Sequence, residues 1–257
     1  MKRILAYRNG ERLSYNDFGS PNGYPVLLQH GMVASIADES LFGRLVLAGR
    51  RLIAIARPGY GDSSPQPLPN MAEWGQVVSR LAEELGLTRF DVLGMSSGAP
   101  YSYAIAHHMP EKTRAVYIFS GIPALYDPGV VAAWPHPLDP GAGISELKAL
   151  AKQLFFSGLS VDELQSEDVH DSMRNGCYGI AQDLKLRCSN WGFSLAEVRT
   201  PVYMQHSRAD IPEAAQRTAN LLPDCHLEWR DGAHFSPELL DGFIHKTMLK
   251  HDGNHPV

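Results

Sequence analysis

The chain has 257 residues, which is long enough to bury one large core with or without an insertion. Its formal net charge is −5, with 23 Lys and Arg against 28 Asp and Glu, which is not the basic balance of a nucleic-acid-binding protein. No run approaches the roughly 20 apolar residues of a membrane span. We therefore expect no nucleic-acid or membrane partner, and a monomer or homodimer that acts on a small molecule.

Cysteine usage indicates the compartment. The three cysteines, Cys177, Cys188 and Cys225, form no C-x-x-C pair, and an odd, sparse set is typical of reduced thiols. The apolar run near the N-terminus, Ile4-Leu5-Ala6, is too short for a secretory signal peptide. Together these features predict a cytoplasmic protein.

Short apolar runs predict strands along the chain. Residues Ile4 to Tyr7 and Arg12 to Tyr15 read as an N-terminal hairpin with a turn at Asn9-Gly10. Six buried strands are then predicted, at 26–29, 52–56, 90–93, 115–119, 202–205 and 227–229.

Helical patterns lie between most of these strands. Asn70 and Glu73 form an N-terminal capping signal, and Gly86 ends that helix. Another helix covers 99–109, and Ser236-Pro237 opens the last one. Strand–helix alternation predicts an α/β fold with a mostly parallel sheet covered on both faces. In such sheets the functional groups collect at the C-terminal ends of the strands.

The alternation breaks between Ile122 and Arg199. Residues 123–143 are rich in proline and glycine, and helices are predicted at 144–156, from Ser160, and at 178–187. We expect a core formed by residues 1–121 and 200–257, with residues 122–199 inserted as a helical cap over the strand ends.

The most informative motif is Gly94-Met95-Ser96-Ser97-Gly98, between a predicted strand and a predicted helix. In that setting G-x-S-x-G indicates a nucleophile elbow, a sharp turn that exposes the central serine hydroxyl. Ser96 alone is centred between the two glycines, so we expect it to be the nucleophile. The helix N-terminus directs unpaired amides at the same point.

A serine nucleophile needs a base and a carboxylate that orients the base. His234 follows the last predicted strand, and Asp210 follows the strand before it. The order Ser96, Asp210, His234 is the order found in one large class of hydrolases. Other histidines and the carboxylates Asp127, Asp139, Asp183 and Asp231 are rivals, but they fall on the inserted segment, on helices or beside turns.

Acyl transfer also needs donors for the developing oxyanion. Ser97 offers the backbone N–H of the residue after the nucleophile. Met32, in the loop Gln29-His30-Gly31-Met32-Val33 after a buried strand, is the predicted second donor. The His-Gly-Gly-Gly form of this loop is absent.

These residues resemble the α/β-hydrolase superfamily over nearly the whole chain. The resemblance rests on His30-Gly31, Arg57-Pro58-Gly59-Tyr60-Gly61-Asp62-Ser63, the 94–98 elbow, Asp210 and Gly232-Ala233-His234-Phe235. It implies an eight-stranded, mostly parallel sheet and a hydrolase that needs no cofactor and no metal. It also implies that the 57–63 loop shapes the edge of the site. Ala99 and Ser207 stand where many relatives have glycine.

The resemblance also bears on the reaction. A serine at the elbow argues against dehalogenases and epoxide hydrolases, which use aspartate there, and against dienelactone hydrolases, which use cysteine. We predict a carboxylesterase-like serine hydrolase (EC 3.1.1) that cleaves a carboxylic ester, lactone or thioester through an acyl-enzyme.

Three alternatives stay open: a carbon–carbon bond hydrolase, an amide hydrolase and a small-molecule receptor with little turnover. Candidate substrate-binding residues are Met32, Met95, Trp134 and Trp191, the last two from a set of aromatic residues on the inserted segment.

Overall fold

A computed structural model describes residues 2–7 and 10–252 of the chain. Asn9 of the predicted hairpin turn and His255, one of the other histidines, lie outside the described residues. In the part described, no helix is both long enough and apolar enough to cross a membrane.

The described residues form one sheet of eight strands, in the order β1-β2-β4-β3-β5-β6-β7-β8. The strands are β1 (Lys2–Tyr7), β2 (Glu11–Gly19), β3 (Pro25–Gln29), β4 (Arg51–Ile55), β5 (Phe90–Met95), β6 (Thr113–Phe119), β7 (Val202–Ser207) and β8 (Cys225–Arg230). Only the pairs β1–β2 and β2–β4 are antiparallel. The predicted mostly parallel, eight-stranded sheet is therefore confirmed.

Helices occupy most of the connections. They are α1 (Gly43–Leu47), α2 (Ala72–Glu84), α3 (Ala99–His108), α4 (Pro128–Val131), α5 (Ile144–Phe156), α6 (Val161–Leu164), α7 (Glu167–Arg187), α8 (Pro212–Leu221), α9 (Pro237–Phe243) and α10 (Leu249–Asp252). The capping signals act as predicted: the Glu73 amide donates to Asn70 Oδ1 at 3.2 Å, and the Leu239 amide donates to Ser236 Oγ at 3.2 Å.

The sheet is buried on both faces because its central strands alternate their side chains between two apolar cores. Leu27 and Val92 face one core, which α2 and α3 cover. Leu28 and Leu93 face the other, which contains α1, α9 and side chains of α5 and α7. Because β3 to β8 pair in parallel, the C-terminal ends of these strands all lie at one edge of the sheet.

Residues 122–199, called the inserted segment below, connect β6 to β7. Helix α7 is interrupted within it, because Arg174 has an extended backbone and Asn175, Gly176 and Cys177 all have positive φ. The part after the interruption matches the helix predicted at 178–187. Gly179 lies in that part, and a Cβ added to it would lie 2.3 Å from the Tyr60 ring, so α7 can approach the core closely here.

The packing of α2 against α3 can be tested at one helical glycine, with a second helical glycine as the control. A Cβ on Gly75 would lie 2.5 Å from His108 Cβ and 2.6 Å from the Ala104 carbonyl oxygen, whereas a Cβ on Gly242 meets nothing within 4 Å. We expect Gly75→Ala to lower the free energy of unfolding by about 1–3 kcal/mol, since α2 and α3 must separate. Gly242→Ala should not lower it, since alanine favours a helix. Urea unfolding measures both, and equal effects would contradict this account.

Candidate active site

The structure places Ser96 at a sharp turn between β5 and α3, with φ of +49°, a conformation that costs a non-glycine residue energy. The two flanking glycines make the turn possible. A Cβ on Gly94 would lie 2.3 Å from Ser102 Oγ, and one on Gly98 would lie 2.2 Å from the Gln29 carbonyl oxygen. The turn therefore brings Ser96 against the end of β3.

The histidine and carboxylate singled out from the sequence lie beside this serine. His234 Nε2 is 3.1 Å from Ser96 Oγ, and His234 Nδ1 is 2.7 Å from Asp210 Oδ2. Asp210 follows β7 and His234 follows β8, two adjacent parallel strands, so both loops open at the same edge of the sheet.

Electrostatics set the roles of the ring nitrogens. The hydrogen bond from His234 is the main reason that the pKa of Asp210 is lowered, and burial only partly opposes it. Asp210 is therefore a carboxylate at neutral pH and accepts the Nδ1 proton. With the Nδ1 proton directed at Asp210, Nε2 is the ring nitrogen placed to accept the Ser96 hydroxyl proton.

Polar contacts hold both loops in place. Ser207 Oγ donates to the Gly232 carbonyl at 2.6 Å and accepts from the Ala209 amide at 3.1 Å, which links the loop of the acid to that of the histidine. Arg230 Nη2 and Ser120 Oγ both donate to the His234 carbonyl. Ser207 thus connects the two loops.

The loop after β3 lies beside the nucleophile. A Cβ on Gly31 would lie 3.9 Å from Ser96 Cβ, and Met32 lines the same cavity as Ser96. His30 within this loop is buried, and burial followed by the Arg57 charge lowers its pKa well below the ordinary value. Neutral His30 accepts a hydrogen bond from the Arg57 backbone amide at Nε2. Its Nδ1 donates a hydrogen bond to the Gly31 carbonyl at 2.8 Å.

A cavity of about 330 Å³ opens at Ser96 and His234. Its walls are mainly apolar side chains: Leu28, Met32, Val33, Ile36, Leu41, Phe42, Met95, Phe155 and Phe235. Two carboxylates, Asp38 and Asp168, also line it, and none of its described lining residues is Lys or Arg. This volume is at the lower end of the range for small-ligand sites.

Two of the four predicted substrate-binding residues lie elsewhere, and those predictions are corrected. Trp191 is fully buried against Tyr103 and Tyr126 in the core that α2 and α3 cover. Trp134 packs on the edge of that core, with Arg187 over its ring. Neither lines the cavity, whereas Met32 and Met95 do. The aromatic side chain that the inserted segment does contribute is Phe155 of α5.

The rival carboxylates have other partners. Asp127 caps α4 through the Val130 amide, and Asp139 accepts from the Gly141 amide. Asp231 lies in the exposed turn before His234. Asp183 forms a buried ion pair with Arg57, at 2.6 Å between Nη2 and Oδ2.

This ion pair was not predicted, although the sequence contains one signal of it. Asp183 follows Ile180 by three residues and precedes Leu184, so it falls on the apolar face of its helix. A carboxylate on that face must find a partner in the core.

The chain matches the model of a known protein family and resembles several known proteins. The model described as "Alpha/beta hydrolase family" matches residues 26–241. Proline iminopeptidase from Xylella fastidiosa (strain 9a5c) is 32% identical over 118 residues, which are 45% of this chain and 38% of that protein. The uncharacterized hydrolase YcgS from Bacillus subtilis is 27% identical over 44% of this chain and 39% of its own length. The chain thus spans about two fifths of these curated relatives.

A longer match is the 2-hydroxy-6-oxononadienedioate/2-hydroxy-6-oxononatrienedioate hydrolase 2 from Pseudomonas putida, 23% identical over 95% of this chain and 96% of that protein. Among solved structures, an esterase from Exiguobacterium antarcticum superposes with a TM-score of 0.73 at 18% identity, covering 98% and 99% of the two chains. An enol-lactonase from Burkholderia xenovorans LB400 does so with a TM-score of 0.67 at 19% identity, covering 96% and 98%.

The structural likenesses concern the fold, and the family model spans most of the chain, including the elbow and the loops of Asp210 and His234. The chain therefore belongs to the α/β hydrolase family.

Proposed function

We propose that the protein is a serine hydrolase that cleaves an ester-type small molecule, a carboxylic ester, lactone or thioester, through an acyl-enzyme. The observation that carries this proposal is the hydrogen-bonded series Ser96–His234–Asp210, with separations of 3.1 and 2.7 Å, at the mouth of an apolar cavity. Family membership supports hydrolysis in general, and the ester class is our inference from the site.

In the proposed mechanism His234 Nε2 removes the proton from Ser96 Oγ as the oxygen attacks the substrate carbonyl. Asp210 holds the imidazole in the required tautomer and stabilises the imidazolium that forms. His234 then gives its proton to the leaving alcohol or thiol. In the second half it activates a water molecule, which releases the acid and restores Ser96.

The oxyanion donors in this mechanism are the backbone amides of Met32 and Ser97. Gly31 lies against Ser96, and Ser97 follows the nucleophile in the turn, so both peptides border the reacting carbon. Their stabilisation acts on the charge that develops in the transition state and is worth several kcal/mol in such sites.

The charge in the cavity favours a neutral ester over a dicarboxylate. The P. putida relative is named for dioate substrates, and carbon–carbon bond hydrolysis could use the same three residues. The cavity here carries Asp38 and Asp168 and no described cationic lining residue, so a second carboxylate would meet repulsion without compensation. We therefore favour apolar, uncharged acyl groups.

We also propose that residues 122–199 form a cap on a core made of 1–121 and 200–257. Phe155 of α5 and Asp168 of α7, both from this segment, line the cavity beside Ser96, which supports that division. A cytoplasmic location agrees with the free state of Cys177, Cys188 and Cys225.

Ser96→Ala tests the nucleophile. We expect turnover of p-nitrophenyl butyrate to fall by roughly 10⁴–10⁶, with an unchanged melting temperature, because only the attacking oxygen is lost. A fluorophosphonate probe should label the wild type at Ser96 and leave this variant unlabelled. Ser79→Ala, at a serine on α2 away from the cavity, is the control and should be labelled like the wild type. Retained activity in Ser96→Ala would exclude this nucleophile.

Asp210→Asn tests the orienting carboxylate. The amide can present its N–H to Nδ1 and stabilise the wrong tautomer, so we expect kcat to fall on the order of 10⁴. Asp231→Asn is the matched control, since Asp231 is an exposed carboxylate of the turn before His234. Steady-state kinetics at neutral pH should show near wild-type turnover for this control. Equal losses in both variants would contradict the assignment of Asp210.

The cavity carboxylates predict discrimination by charge. We expect kcat/KM for p-nitrophenyl butyrate to exceed that for the anionic p-nitrophenyl hemisuccinate by about tenfold, since one like-charge pair in a partly buried site costs roughly 1–2 kcal/mol. Asp168→Asn should reduce this ratio, whereas Glu167→Gln, at the neighbouring exposed carboxylate, should not. A preference of the wild type for the anionic ester would overturn the proposed substrate class.

A further inference from the structure

A buried ion pair connects the inserted segment to the core close to Ser96. Arg57 and Asp183 are 1% and 3% exposed, with Nη2–Oδ2 and Nε–Oδ1 distances of 2.6 and 3.2 Å. Tyr101 donates its hydroxyl to Asp183 Oδ1 at 2.6 Å, and the Tyr60 hydroxyl lies 2.9 Å from Oδ2. All four side chains are buried, and the guanidinium lies over both tyrosine rings.

The guanidinium uses its remaining donors on the loop after β3. Arg57 Nη1 donates to the His30 carbonyl at 2.6 Å, and Nη2 donates to the Gly31 carbonyl at 2.8 Å. Nη2 also lies 3.2 Å from Ser97 Oγ. Arg57 therefore contacts the peptide that carries the Met32 amide, through the Gly31 carbonyl, and the side chain of Ser97.

The contact with Gly31 matters because of peptide geometry. The Gly31 carbonyl and the Met32 N–H belong to one planar, trans peptide unit, in which the two groups point in opposite directions. A donor that fixes the carbonyl on one side therefore fixes the direction of the N–H on the other. A cation on the carbonyl oxygen also polarises the unit and makes the Met32 N–H a stronger donor.

The Asp183 carboxylate stabilises the positive charge of Arg57 at this buried position. Burial opposes the guanidinium charge, but the neighbouring Asp183 carboxylate outweighs it, so the pKa of Arg57 is raised above its ordinary value. Burial, followed by Asp183, raises the pKa of Tyr60 and of Tyr101 well above the usual range, so both hydroxyls keep their protons. Asp183 lies one helical turn after Gly179, at which α7 packs closely against Tyr60.

We propose that Asp183 is a positioning residue for the hydrolytic reaction: through Arg57 it fixes the 31–32 peptide and so aims the Met32 amide at the oxyanion. This inference rests on the proposed function. It makes a residue of the inserted segment part of the machinery that supports Ser96, in addition to any role of the segment as a cover over the cavity.

Asp183→Asn tests the proposal with p-nitrophenyl butyrate. The variant keeps the shape of the side chain and removes its charge, so Arg57 loses its compensating carboxylate and holds the 31–32 peptide less firmly. We expect kcat to fall about 10–100-fold, below the loss of a whole oxyanion donor, while KM changes less than about threefold. That pattern arises because the Met32 amide acts on the transition state more than on the bound ester.

Asp91→Asn is the matched control. Asp91 is a buried carboxylate at the start of β5 that pairs with Arg114, and within the described part of the chain it makes no hydrogen bond to the loop after β3. Both variants should lower the melting temperature, since each leaves an arginine without its carboxylate. Activities are compared at a temperature where circular dichroism shows both variants folded. Only Asp183→Asn should then lose kcat.

Arg57→Lys decides the question independently, including the case in which Asp183→Asn does not fold. Lysine keeps the charge, but its single ammonium cannot bind Asp183 and two carbonyls as the guanidinium does. We expect the same fall in kcat with little change in KM.

Several results would overturn the proposal. Wild-type kcat within twofold in a folded Asp183→Asn or Arg57→Lys would do so, as would an equal loss of kcat in Asp91→Asn. A wild type that neither hydrolyses the ester nor is labelled at Ser96 would overturn the proposed function, and this inference with it. An active wild type with unaffected variants would overturn this inference alone.

Discussion

The site depends on how closely the turn after β5 approaches the end of β3. Gly98 leaves no room for a Cβ because the Gln29 carbonyl occupies that position, and Gly94 is equally confined by Ser102. This contact places Ser96, in a strained backbone conformation, beside Gly31 and Met32. The sheet maintains the strain, because β5 lies between β3 and β6 and is completely buried.

The loops that carry Asp210 and His234 are held in place by polar contacts with one another. The Ser207 hydroxyl joins the Asp210 loop to the His234 loop, while Ser120 and Arg230 hold the His234 carbonyl from the side of β6 and β8. A shift of His234 would have to break several of these bonds at once. The 2.7 Å contact between His234 and Asp210 is thus supported by neighbours that do not themselves react.

Much of the fold and the core of the site could be predicted because the relevant signals are local. The strands are short apolar runs, and the G-x-S-x-G turn, Asp210 and His234 each follow a strand directly, so topology alone brings them to one edge. Trp191 was misassigned for the converse reason. Aromatic residues in a segment show that it has apolar surface, but only packing decides which side is buried, and Trp191 faces the core that α2 and α3 cover.

The pairing of Arg57 with Asp183 joins residues 126 positions apart, and nothing in the sequence near either residue names the other. The sequence does show each charged residue in an unusual setting. Asp183 interrupts an apolar helix face, and Arg57 lies within a glycine-containing loop after β4. A buried charge must be compensated, so each residue predicts a partner of opposite sign. The identity of that partner becomes clear only in the folded structure, in which α7 approaches the core at Gly179.

These contacts also limit how the inserted segment can move. Besides the buried ion pair, α7 is tied to the loop after β3 by the Ala34 amide on Ser172 Oγ at 2.9 Å and the Ser35 amide on Asp168 Oδ1 at 2.7 Å. Moving α7 away from the core would break all of these hydrogen bonds and would separate Asp183 from Arg57. Helix α5 lies on α7 mainly through apolar side chains such as Leu147 and Ala151, which can slide at lower cost than hydrogen bonds can break. A shift of α5 and its Phe155, with α7 kept in place, would therefore break fewer of these hydrogen bonds than a shift of α7 would.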